Sequence, residues 1–233
     1  MPIMFGASAG WIIAGLFLFR SSQAPREYRI AIKQLRKGEY QEAVAAMDRL
    51  IKIEADKAGH YRFRAEILRL WGKLGRAKND YKMMLELNPQ DAVAYNGLAE
   101  VEVQAGHFDE ALVAAQSAYD LLPKDWVTSY NLGMIYDRLQ QSEKAVEALE
   151  RSLTQKVPDS RHRLLIYLYL SRAYQLLGNE QAYQESLVKL KKEKEGMEEW
   201  QQIIHNDKAA TLRAVIGDDI EEAQRIMIAG GSQ

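Results

Sequence analysis

The sequence predicts an all-α protein made of stacked helical hairpins, and three features predict it. The first is a register. Gly38, Gly72 and Gly106 lie 34 residues apart, Ala43, Ala77, Ala111 and Ala145 hold that step through a fourth copy, and Ala31, Ala65, Ala99 and Gly133 keep one column small. The second is helical periodicity on both sides of the glycine: Tyr95, Leu98 and Ala99 precede Gly106, and Phe108, Ala111, Leu112 and Ala115 follow it. The third is composition. With 47% hydrophobic residues, 27% charged residues and five prolines in 233, a disordered or collagenous chain is excluded. A fixed period of this length marks helical units that bury their faces only against one another.

Taken in order, the units span residues 24–57, 58–91, 92–125 and 126–159, with a fifth over 164–195. In units one, two, three and five a glycine reverses the chain between two helices, with Gln140 at that column in unit four, and Pro89 and Pro123 stop the second helix of units two and three. The fifth copy follows a step of 38: Ser171, Gly178, Tyr183, Leu187 and Leu190 answer Gly133, Gln140, Ala145, Leu149 and Ser152, so four residues are inserted near 160–163. This unit opens with "LLIYLYL", residues 164–170, which is apolar all round and demands cover. The cover expected is residues 196–233, read as capping helices. Met197, Trp200 and Ile204 share one helical face there, and Ile220, Ala223 and Met227 another. Gly217 reads as the end of one helix, and Asp219 with Glu222 as the capping box of the next. The run "KLKKEKE", residues 189–195, reads as a solvated face.

The third and fourth units, with "YNGLAEVEVQAGHFDEA" and "YNLGMIYDRL", resemble the tetratricopeptide repeat family, whose pattern runs aromatic, Leu-Gly, Tyr, Gly-x-Tyr-x-x-Ala and a terminal Pro. Units one and two depart from it at Glu27 and Arg64, and units two and four carry Leu74 and Ser142 at the aromatic column after the turn. The resemblance implies a right-handed superhelical solenoid of about five hairpins, whose first helices line a concave, peptide-binding groove without catalysis. The groove columns it implies include Tyr28, Arg62, Asn96 and Tyr130; Met134 and Arg172; and Arg69. Asn131 matches one asparagine of a family clamp for C-terminal carboxylates, but Asn96, Leu165 and Tyr169 stand at its basic positions, which leaves the clamp incomplete.

Residues 1–20 read as a transmembrane anchor. Residues 2–19 carry no charge and span about 27 Å as a helix, close to a hydrocarbon core of roughly 30 Å. No basic residue precedes the run, and Arg20 and Pro25 flank "SSQA", so retention is expected over cleavage as a signal peptide. Arg20, Arg26, Arg29, Lys33, Arg36 and Lys37 follow the span, which places the solenoid in the cytoplasm and the N-terminus outside. Gly6, Gly10 and Ala14 form a small-residue stripe suited to another membrane helix. Residues 20–88 carry 16 basic against 9 acidic residues and residues 89–233 carry 15 against 23, so the anchor-proximal half is basic and the distal half acidic.

No chemistry-bearing constellation emerges. The chain lacks cysteine, His60, His107, His162 and His205 lie far apart, and no phosphate loop, nucleophile elbow or dinucleotide fingerprint occurs. The expectation is a non-enzyme without metal, cofactor, nucleic acid or small-molecule substrate. Its partner is expected to be an integral membrane protein or complex that it assembles or stabilises. Two rival readings stand beside it: a membrane-bound receptor or co-chaperone capturing client segments, and a secreted or periplasmic adaptor released by signal cleavage.

Overall fold

The computed structural model describes residues 25–206 and 209–229. Among these residues there are twelve α-helices and no strand. Five antiparallel hairpins follow one another: α1 (Arg26–Lys37) with α2 (Tyr40–Ile53), α3 (Ala58–Leu70) with α4 (Leu74–Leu87), α5 (Ala92–Ala105) with α6 (Phe108–Leu121), α7 (Trp126–Arg138) with α8 (Ser142–Thr154), and α9 (Ser160–Leu176) with α10 (Glu180–Lys192). Each second helix packs on the first helix of the next unit up to α9, so the hairpins stack in chain order. Two more helices, α11 (Lys194–Ile204) and α12 (Ala210–Ala229), complete the molecule.

Repeated residues build repeated joints. Asp91, Asp125 and Asp159 begin α5, α7 and α9, and each accepts a hydrogen bond from the backbone N–H two residues on, at 2.9, 2.8 and 2.9 Å. At the hairpin turns the chain passes through left-handed backbone. Gly106 has φ 78°, and the N–H of His107 reaches back to the Glu102 carbonyl at 2.9 Å. In the fourth unit Gln140 takes the same conformation, at φ 56°, with the Gln141 N–H bonded to the Tyr136 carbonyl at 2.9 Å. A left-handed side-chain-bearing residue costs about 1–2 kcal/mol, against the roughly 0.5–1 kcal/mol of extra chain entropy that glycine loses on folding. Gly106→Ala is therefore expected to lower the chemical-denaturation midpoint and Gln140→Gly to raise it; shifts of the same sign would contradict the turn geometry.

Small residues let helices approach. A Cβ on Gly97 would lie 2.2 Å from the Tyr81 ring, and one on Gly133 2.5 Å from the Leu149 side chain. Ala43, Ala77, Ala111 and Ala145 are all fully buried in the hairpin interiors. The four-residue insertion lengthens a helix: α9 has 17 residues, where the other first helices have 12 to 14. Its apolar run is covered on every side by α7, α8, α10, α11 and α12, with Leu164, Ile166, Leu168 and Tyr169 at zero exposure.

The end of the chain differs from its sequence reading. Gly217 does not end a helix, and Asp219 does not cap one. Both lie inside the 20-residue helix α12, which begins at Ala210. Asp219 is buried at 1% exposure, between Ile216, Ile220 and Ala223 on the helix's inward face. The "KLKKEKE" run is also less solvated than it reads. Leu190 is fully buried, and Glu193 accepts hydrogen bonds from Ser160 (2.7 Å) and Arg163 (2.8 and 2.9 Å) at the start of α9.

Among the described residues no helix is long and apolar enough to cross a membrane. The span expected at residues 1–20, with Gly6, Gly10 and Ala14, lies outside the described residues.

Candidate functional site: the groove and the helix that crosses it

The two terminal helices are held in different ways. α11 is a packed cap on α9. Gly196 sits against the Ser160 backbone, where a Cβ would come within 2.5 Å of the carbonyl oxygen, and its N–H bonds Ser160 Oγ at 3.0 Å. Met197, Trp200 and Ile204 are buried, and the Trp200 indole N–H donates to the Arg161 carbonyl at 3.0 Å.

α12 instead runs along the first helices of units two to five, touching α3, α5 and α9 as well as α10 and α11. It meets one column of the repeat. Thr211 Oγ1 donates to the Leu70 carbonyl at 2.9 Å; Gln104 lines a cavity with Thr211, Leu212 and Val215; and Arg138 donates to the Val215 carbonyl at 3.3 Å. Leu70, Gln104 and Arg138 are 34 residues apart, the same position in three successive units.

At units four and five the contact becomes ionic. Asp219 accepts from Arg138 through both oxygens, from Arg172 at 2.8 Å and from the Tyr169 hydroxyl at 2.9 Å. Arg172 also reaches Glu222 at 2.6 Å and Asp137 at 3.1 Å. Two arginines and a phenol thus converge on one buried carboxylate, which satisfies it. Burial and the neighbouring Asp219 charge push the Tyr169 hydroxyl well above its usual range, so it stays a donor. Burial also raises the Asp137 carboxyl, against the opposing pull of Arg172 and Arg138.

Beneath α12 a cavity of about 90 Å³ remains, lined by residues that include Arg69, Glu100, Tyr130, Met134 and Trp200. Arg69 pairs with Glu66 at 2.9 Å and Glu100 at 3.2 Å, and the Tyr81 hydroxyl donates to Glu66 at 2.7 Å. The guanidinium does not offset the burial of Glu100, which is pushed up to about 7, mainly by desolvation. The sign follows. Between the ordinary glutamate range and about 7 the folded chain holds a proton that the unfolded chain has released, so stability falls as pH rises through that window. Glu100→Gln is expected to flatten that slope in thermal melts between pH 5 and 8. An unchanged slope would mean that Glu100 is already ionised at the lower end.

The structure draws together some of the residues expected in the groove. Arg69, Tyr130 and Met134 line the one cavity, and Asn96 accepts from Asn131 Nδ2 at 3.2 Å beside it. Arg62 lies close enough to act electrostatically on Glu100. Arg172 is engaged by α12 at the far end. Tyr28 stands apart in the first unit, buried against Phe63 and bonded to His60 Nδ1 at 2.8 Å. Arg138, Tyr169, Asp219 and Glu222 were not legible as a site. The available signal was an acid, Asp219, inside the apolar stripe Ile216, Ile220, Ala223. Among the described residues no cluster of His, Asp or Glu is arranged to hold a metal.

Comparison with known proteins fits this architecture. Two tetratricopeptide-repeat family models match, over residues 71–125 and 102–167. The chain resembles the crystal structure of MamA, with a TM-score of 0.59 at 23% identity, over 74% of this chain and 97% of that one. It resembles TTC0263, a thermophilic tetratricopeptide-repeat protein of Thermus thermophilus, with a TM-score of 0.56 at 17% identity, over 79% and 96% of the two chains. It also resembles YrrB, described as a tetratricopeptide-repeat protein with an unusual peptide-binding site, with a TM-score of 0.54 at 21% identity, over 81% and 98%. No curated protein matches the chain. Residues 71–167 therefore match tetratricopeptide repeats, and the solved structures share the stacked-hairpin fold.

Proposed function

We propose that the protein is a non-catalytic scaffold, held at a membrane by residues 1–20, that assembles or stabilises a membrane protein complex. The observation that carries the reading is the stack itself. It stacks α1, α3, α5, α7 and α9 in chain order, and among the described residues α12 meets these first helices at units two to five. On this reading residues 21–195 supply the docking surface, residues 196–233 close it, and the solenoid faces the cytoplasm. Arg62, Asn96 and the Arg69–Glu100 pair offer mixed charge and hydrogen bonding for a protein segment. Tethering at the bilayer raises the effective concentration of partner and groove, so modest affinity suffices.

Affinity purification in mild detergent with mass spectrometry tests it. Arg62→Ala with Asn96→Ala is expected to weaken co-purification of a membrane protein at unchanged helicity, and Gly6→Leu with Gly10→Leu to weaken it independently. Arg69 is left in place because it holds Glu66 and Glu100. Capture that survives both pairs of changes would overturn the scaffold reading. Loss with the groove pair alone would favour the receptor reading, in which the groove takes client segments reversibly.

A further inference from the structure

α12 lies across the row of first helices where the scaffold reading places a protein segment, and its attachment differs in kind from that of α11. α11 is fixed by apolar side chains and by a backbone contact that admits no Cβ. α12 is fixed at its far half by apolar Ile216, Ile220 and Ala223 and, unlike α11, also by a buried set of charge-assisted bonds, Asp219 and Glu222 to Arg138, Arg172 and Tyr169. Between residues 210 and 229 it carries four acids against two arginines. Beneath its near half lies a partly open pocket of about 90 Å³, and the Gln104 side-chain oxygen on its wall is buried without a hydrogen-bond partner. Ile228, one residue before the described end of the helix, is 65% exposed.

We propose that α12 is a built-in occupant of the groove, and that the external partner which replaces it is an acidic amphipathic helix. This partner presents two carboxylates three residues apart, as Asp219 and Glu222 are, to the Arg138–Tyr169–Arg172 cluster. Three donor side chains set on two adjacent first helices give the cluster its selectivity. Both guanidiniums can bind a carboxylate through two bonds, and the phenol donates but does not ionise. A partner helix lacking the first acid would leave both arginines facing an apolar stripe, which disfavours it. The inference rests on the scaffold reading, since it names the partner class of that groove.

The test uses the full chain and a fluorescent peptide of residues 209–229 supplied in trans. In wild-type protein the tethered helix outcompetes the peptide, because linkage gives it a high effective concentration. Asp219→Asn with Glu222→Gln loosens the tethered copy, and this variant is expected to bind the peptide at least tenfold more tightly than wild type. Peptide carrying the same two substitutions is expected not to bind, and adding Arg172→Glu to the loosened chain should abolish capture. If the double variant loses helicity, Glu222→Gln alone gives a milder version of the same comparison, because Glu222 bonds only Arg172 there and its side chain is 35% exposed. Equal binding by wild type and variant, no binding by either, or binding indifferent to the two acids would overturn the proposal. Each of these outcomes leaves co-purification through Arg62 and Asn96 intact, so failure here is distinguishable from failure of the scaffold reading.

Discussion

Replacing Asp219 by alanine is expected to release α12 from the solenoid at a loss of about 3–5 kcal/mol, the range seen when one member of a buried ion cluster is removed. The cost comes less from the missing bonds than from what remains. Arg138 and Arg172 keep Asp137, and Arg172 keeps Glu222, but both lose their bonds to Asp219, and the Tyr169 hydroxyl loses its acceptor beside the apolar stripe of Ile216, Ile220 and Ala223. Stacked hairpins contact mainly their neighbours, so the damage stays local. Amide hydrogen exchange should accelerate over residues 210–229 while α1 to α6 keep their protection. Arg225→Ala, which removes only an exposed pair with Glu221 at 4.0 Å, should leave exchange unchanged. If the two substitutions behaved alike, the ion cluster would not be what holds the helix.

Gly97→Leu is expected to be the most damaging single change within the repeats. Tyr81 is fully buried, and its ring occupies the space where the new Cβ would stand. The ring must leave, and its hydroxyl bond to Glu66 goes with it. Overpacking of this kind costs about 1–3 kcal/mol and occasionally more, to which the lost buried bond adds about 1 kcal/mol. Thermal unfolding followed by circular dichroism should show a large fall in midpoint for Gly97→Leu and none for Val113→Leu, whose side chain stands 70% exposed on α6. A small shift at Gly97 would mean that α4 and α5 can separate without penalty.

The hairpins were legible because their signal repeats. One glycine and one alanine column recur in register, and a recurring local rule outweighs any single departure such as Gln140. The tail was legible only in part. Local rules assign Gly217 to a helix end and Asp219 to a cap, and both rules are sound for an exposed helix. Tertiary partners reverse them here. Arg138, Tyr169 and Arg172 lie 81, 50 and 47 residues before Asp219 and turn a capping acid into a buried one. A window of α12 shows an acid inside an apolar stripe but not the side chains that meet it. The groove columns suffered the opposite fate. Tyr28, Tyr130 and Met134 were placed on the correct helices, yet helix packing and the terminal helices cover them. A column of the repeat tells which way a side chain points and not what else the chain brings there.

Site-specific photo-cross-linking in native membranes tests the central claim, that the row of first helices is the working surface. A photoreactive residue at position 96, on α5 beside Asn131, is compared with one at position 113, on the exposed side of α6. The account predicts a discrete adduct with a membrane protein from position 96 and none from position 113. Adducts from position 113 with none from position 96 would contradict it.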